Sequence, residues 1–234
     1  MDCSDANTLN LTKELEFIVI KRFLIFVFLL VSLAFAQDDK ICRESLFTRA
    51  EALSLAKITA VPDSRAYFYN DFDNCPSLDT DSCREASYLI AGDELVVSKE
   101  YEGFSCAWYA GASETVGWLE SDRLEPVQIK PPEHQNWLGH WQYNDNEIYL
   151  TELKFSDDFL LEALAIWQGD GANIHIAEVF ERIYAPQYHS IQITTEDGCF
   201  LQLSIMNDYL AAMDNLKCGG ANVSFNGIYK KAAE

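Results

Sequence analysis

Basic residues are scarce: seventeen Lys and Arg face thirty-seven Asp and Glu, and the 234-residue chain carries a net charge of −20. A phosphate backbone would be repelled by such a surface, which argues against a nucleic-acid partner. Histidines are also few, at positions 134, 140, 175 and 189, with no H-E-x-x-H or other paired spacing. A catalytic zinc would lack its ligands. No G-x-S-x-G elbow exists to activate a serine, and no C-x-x-C pair to make a metal or redox site. Long apolar runs are confined to one, near the N-terminus, so no second segment of spanning length remains.

That run, Phe23 to Ala36, follows Lys21 and Arg22 and ends in Ala34-Phe35-Ala36. A charged n-region, an apolar h-region and small residues at −3 and −1 make a signal peptide, with the mature chain beginning near Gln37. The run is shorter than the ~20 residues of a spanning helix. Extending it back through Phe17 to Ile20 would put Lys21 and Arg22 into the bilayer at roughly 2.5–3.5 kcal/mol each. Residues 1–36 are therefore read as signal peptide, with 1–20 an over-long start, and the product as periplasmic or secreted without stable membrane insertion. Cleavage removes four acids and three bases and leaves 33 against 14. The acidity either serves solubility or steers a cationic partner.

Cys3 is lost with the signal, and six cysteines remain. An even number in an exported chain reads as disulfides. Position narrows the pairings: Cys199 and Cys218 lie apart from the others, Cys75 and Cys83 flank a short polar loop, and Cys42–Cys106 remains. Every mature thiol is then bridged, and none serves as a nucleophile.

About 198 mature residues suit two small domains, with a linker at 131–136 marked by Pro131-Pro132. Residues 37–61 form an N-terminal helical segment, because Arg43 to Lys57 is rich in helix formers and free of Gly and Pro. Over 62–130 the pattern changes to short strands at 66–69, 87–90, 94–98, 104–110 and 115–119, separated by turns such as Ala91-Gly92-Asp93. Five strands in about sixty residues indicate a small barrel. Ala66-Tyr67-Phe68-Tyr69, the turn at Ala91-Gly92-Asp93, and Gly117-Trp118-Leu119 followed by 121–127 resemble bacterial SH3-like (SH3b) domains. The resemblance implies a five-stranded barrel that binds cell-wall peptides or protein segments. Two cysteine pairs around it depart from the family pattern.

Residues 137–234 read as a second antiparallel β-barrel or sandwich, with strands at 147–155, 160–167, 173–179, 190–194, 199–205, 209–213 and 223–229. The opening at 137–141 and the closing stretch at 219–229 resemble small periplasmic lipocalin-like barrels, some of which inhibit lysozymes, in architecture only. The fold class is thus mainly β: a small SH3-like barrel, then a second antiparallel barrel, with a short N-terminal helix.

Candidate ligand-binding side chains are Tyr67, Tyr69, Tyr101, Trp108 and Trp118, whose faces would line a groove that stacks on peptide or sugar. Tyr67 and Tyr69 share one strand face and Phe68 takes the other. Trp118, between Gly117 and Leu119, also reads as core, as do Trp141 and Trp167. Asp71, Asp73, Asp79 and Asp81 crowd one loop. They suggest either a weak Ca²⁺ site without EF-hand register or a solvated acidic loop. His175 and Glu178 make either an acid/base pair or a surface histidine near a carboxylate. No cofactor is called for. The reading is a non-enzymatic binding protein of the envelope, recognising a cell-wall peptide or a protein, in its sharper form an inhibitor or immunity protein of a basic cell-wall hydrolase. The alternative is an envelope enzyme acting on glycan or peptide through an unrecognised site.

Overall fold

The structure, a computed structural model, describes residues 40–43, 47–49, 52–60, 64–111, 114–184 and 189–232. The signal segment 1–36 lies outside the described residues. Cys42–Glu234 forms one compact unit. Among the described residues of that unit, fifteen strands build two antiparallel sheets, as expected of a mainly β chain.

The first sheet holds β1 (Ser54–Ile58), β2 (Ala66–Tyr69), β3 (Arg84–Leu89), β4 (Glu94–Tyr101), β5 (Phe104–Ala110), β6 (Glu114–Glu120) and β7 (Leu124–Val127). Their order is β3-β2-β6-β5-β4-β1-β7. A one-turn 3-10 helix, Ser121–Arg123, leads into β7. The second sheet holds β8 (Gly139–Tyr143), β9 (Asn146–Glu152), β10 (Phe159–Gln168), β11 (Ile174–Ile183), β12 (Ser190–Thr194), β13 (Phe200–Met206), β14 (Tyr209–Asp214) and β15 (Gly227–Lys231). Its order, β11-β10-β9-β8-β15-β14-β13-β12, is a meander joined through β8 and β15. The sheet is nearly barrel-shaped. Its end strands β11 and β12 do not pair, although residues 181–184 and 191–194 line one 340 Å³ slot.

The helix expected over 43–57 needs correction. Phe47–Arg49 have helix-and-turn backbone, residues 44–46, 50 and 51 lie outside the described residues, and Ser54–Ile58 is a strand. Its residues are good helix formers, but β1 is paired on both sides, by β4 and β7, and buries Leu55, Ala56 and Ile58. Tertiary pairing of this kind overrides propensities worth a few tenths of a kcal/mol per residue. The helix that does form between the sheets is α1 (His134–Trp137), one turn with a capping box between Glu133 and Asn136.

Strand alternation places the cores. One face of the first sheet packs Ile58, Phe68, Leu89, Leu95 and Leu119 around a small interior. The opposite face packs Leu55, Tyr69, Val96, Cys106, Trp108 and Trp118 with Met206, Ala211 and Ile228 of the second sheet. The second sheet encloses its own core, which includes Trp137, Trp141, Phe159, Leu161, Phe225 and Tyr229. A buried carboxylate fastens its C-terminal approach. Asp214 accepts the backbone N–H groups of Leu216 (2.8 Å) and Phe225 (2.6 Å), and its own N–H donates to the Asn226 side chain (2.6 Å). Asn146, also buried, donates to the Ser224 carbonyl and accepts from the Ile166 N–H.

All three disulfides have the expected pairing: Cys42–Cys106, Cys75–Cys83 and Cys199–Cys218. They fit an oxidising compartment. Among the described residues, no helix is long and apolar enough to cross a membrane.

Candidate functional site

The five aromatic residues singled out from sequence converge on the first sheet, on β2, β4, β5 and β6. Alternation brings Tyr67 and Tyr69 to the face that also holds Trp108 and Trp118. Glycine makes the approach tight at one point: a Cβ at Gly117 would sit 3.1 Å from the Phe68 ring and 3.2 Å from the Tyr69 carbonyl oxygen. A side chain there would push Phe68 or the β2 backbone aside by a few tenths of an ångström, so glycine suits the close approach of β6 to β2; the next residue, Trp118, lies 6.0 Å from the Tyr101 ring.

Three of the five are not available to a ligand, which corrects the groove reading for them. Trp108 is 2% exposed, Trp118 0% and Tyr69 6%. The chain itself supplies the cover. Cys42 reaches the face through its bridge to Cys106, and Phe47 and the bridged pair Cys75–Cys83 pack beside it. The second sheet closes the remainder, with Tyr209 edge-on to Trp108 at 5.5 Å and the Lys230 ammonium 5.6 Å over the same indole. Tyr69 donates its hydroxyl to Glu120 Oε1 at 2.9 Å. Burial, reinforced by that carboxylate, pushes its phenol up to about 12. Tyr67 and Tyr101 stay half-buried. Tyr67 lies 5.8 Å from Tyr88, and the Arg84 and Arg65 guanidinium groups stack on these two rings at 4.9 and 4.1 Å.

Beside this face lies a 450 Å³ cavity lined by Cys42, Arg43, Tyr69, Asp71, Phe72 and Gly117 among others. Asp71, one of the Ca²⁺ candidates, accepts the Cys42 N–H (2.9 Å) and pairs with the Arg43 Nε at 3.1 Å. It anchors the N-terminal segment. Among the described residues no three His, Cys, Asp or Glu side chains converge on a common point, so Asp71, Asp73, Asp79 and Asp81 are not brought together as ligands. His175 and Glu178 are likewise separated: three residues apart on β11, they lie on opposite faces of the strand. The His175 ring turns to the Ala221 carbonyl and Trp167, while Glu178 points to solvent.

One feature of the exterior went unread in the sequence. On β11, Ile174, Ile176 and Phe180 point outward and are 52%, 52% and 68% exposed, and Tyr184 just past the strand is 78% exposed. The signal was present: from 174 to 184 both parities of the strand carry apolar side chains, whereas a half-buried strand needs only one.

No family model matches the chain, and no curated protein matches it. Among solved structures it is similar to NlpC2 from Trichomonas vaginalis, at 9% identity and a TM-score of 0.29, over 77% of this chain and 46% of that one. The chain thus spans less than half the length of that protein.

Proposed function

We propose that this chain is an exported, non-enzymatic binding protein of the cell envelope whose partner is a cationic protein, a basic cell-wall hydrolase being the class that fits best. One observation carries the choice of a protein over a wall peptide: the aromatic face that would stack on a peptide is filled from within. Trp108, Trp118 and Tyr69 are covered by the chain's own N-terminal segment and second sheet. A flexible peptide seeking that face would have to displace a disulfide-tethered cover. The exterior offers negative charge instead, 33 acids against 14 bases in the mature chain. Such a surface steers a basic protein into encounter over distances of about a Debye length, ~10 Å at 0.1 M salt.

The test titrates the mature protein against basic lysozymes and amidases, with purified peptidoglycan as the second arm. Binding to a basic hydrolase, with an association rate that falls steeply as salt rises, supports the reading. Binding to peptidoglycan alone would return the function to the wall-peptide class. Binding to neither would remove both.

A further inference from the structure

The outward face of the second sheet combines two properties that rarely share a surface without use. Register sets β11 beside β10 and β10 beside β9, so Ile166 faces Ile176 and Phe180 faces Glu162, which in turn faces Tyr149. Leu164 lies between Glu178 on β11 and Glu147 on β9. Apolar side chains and carboxylates therefore interleave across three strands. The two ten-residue strands run roughly 33 Å. Ile174, Ile176 and Phe180 are more than half exposed, and a contiguous apolar patch of this kind marks an interaction site on a soluble protein. β11 is also an end strand of its sheet, with no strand paired beyond it among the described residues.

Charge selects the occupant. Glu147, Glu162 and Glu178 stand within the apolar field; Glu147 accepts the Tyr149 hydroxyl at 3.2 Å and lies 3.7 Å from the His140 Nε2 of β8, and Arg182 on the same face is engaged by Asp158 through its Nε at 2.9 Å and through Nη2. A second copy of the mature chain would bring the same carboxylates against their like, with 33 acids against 14 bases on each partner. A basic protein that presents Lys or Arg around an apolar ridge satisfies both properties at once.

We infer that the outer face of β9–β11 is the docking surface for the cationic protein partner, with Ile176 and Phe180 as its apolar anchors and Glu147, Glu162 and Glu178 as its charged guides. This rests on the binding reading above and deepens it. Anchors buried at the centre of an interface govern escape, and charges around them govern encounter.

The experiment uses the full mature protein, with the basic hydrolase that binds most tightly in the panel above as one probe and polylysine as the other. Ile176→Ser with Phe180→Ser should weaken hydrolase binding at least about tenfold through faster dissociation. Polylysine binding should not change. Glu147→Gln, Glu162→Gln and Glu178→Gln together should slow association with the hydrolase and flatten its salt dependence. Circular dichroism and thermal melting of both variants establish that the fold is kept, as expected of exposed positions. Wild-type hydrolase binding with both variants unchanged would overturn the surface while leaving the binding reading standing. Absence of any hydrolase binding by the wild type would overturn both. Sedimentation of the wild type alone as a dimer that the Ser variant dissociates would assign the face to a second copy and overturn the cationic occupant.

Discussion

Replacing Cys42 and Cys106 together by serine tests whether the N-terminal segment is the cover over the tryptophans. The bridge spans 64 positions, the longest of the three. Loop-closure entropy grows as the logarithm of loop length, which puts its contribution at about 4 kcal/mol. The same relation gives roughly 3 kcal/mol for Cys199–Cys218, separated by 19, and less for Cys75–Cys83, separated by 8. With a urea m-value of about 2 kcal/mol/M, the midpoint should fall by roughly 2 M. The second consequence is local. Cys106 sits on the face that holds Trp108 and Trp118, and the segment beginning at Cys42 is tied down there by that bridge together with the Asp71 contacts to Cys42 and Arg43. With the bridge gone, the part of the face under the segment should open below the unfolding transition, read as a red-shifted emission and increased acrylamide quenching, with Trp108 contributing less because Tyr209 and Lys230 of the second sheet still cover it. Serine in place of Cys75 and Cys83 should lower the midpoint less and leave the quenching closer to wild type. A double variant with a midpoint loss under about 0.5 M and unchanged quenching would refute the idea that a tethered segment seals this face.

Two further outcomes follow from buried polar groups. Asp214→Ala removes a carboxylate that accepts two backbone N–H groups and strands both donors, so stability measured by urea unfolding should fall by about 3–5 kcal/mol; a loss under 1 kcal/mol would show that water replaces it. Tyr69 has a phenol raised to about 12 by burial and Glu120. The folded state therefore holds its proton where the unfolded chain has released it. The stabilisation is fully present below pH ~10 and is lost as pH rises through about 12. Urea midpoints at pH 9 and pH 11 should converge in Tyr69→Phe relative to wild type, and an unchanged difference would remove Tyr69 from the alkaline response.

Residue patterns carried the strands where each was held by its own alternation. Ser190–Thr194 and Phe104–Ala110 stand where the apolar spacing put them. They failed where a distant group takes the backbone. The last strand was expected from Val223, but it begins at Gly227, because residues 223–226 are held by the Asp214 carboxylate and Asn146 rather than by a neighbouring strand. β1 failed for the related reason that its partners, β4 and β7, lie about forty and seventy positions away in sequence.

Three of the five groove aromatics, Trp108, Trp118 and Tyr69, are covered for a different reason, and the same stretch of sequence carries the sign of it. Leu95-Val96, Trp118-Leu119 and Leu55-Ala56 are consecutive apolar pairs inside strands, and each pair sends one side chain to either face of the first sheet. A free barrel with a solvent-facing groove needs one apolar face; a sheet with two must be covered twice. Counting aromatic residues on a face identifies surfaces that are sticky without saying which are already occupied. The distinction lies in what can reach them. Cys42 and Cys106 name the cover for the tryptophan face covalently, whereas no described segment of the chain lies over Ile176 and Phe180 on β11. By the same two-face criterion that accounts for the burial of Trp108, Trp118 and Tyr69, the outward face of β11 keeps apolar surface at Ile176 and Phe180 that the described residues leave exposed.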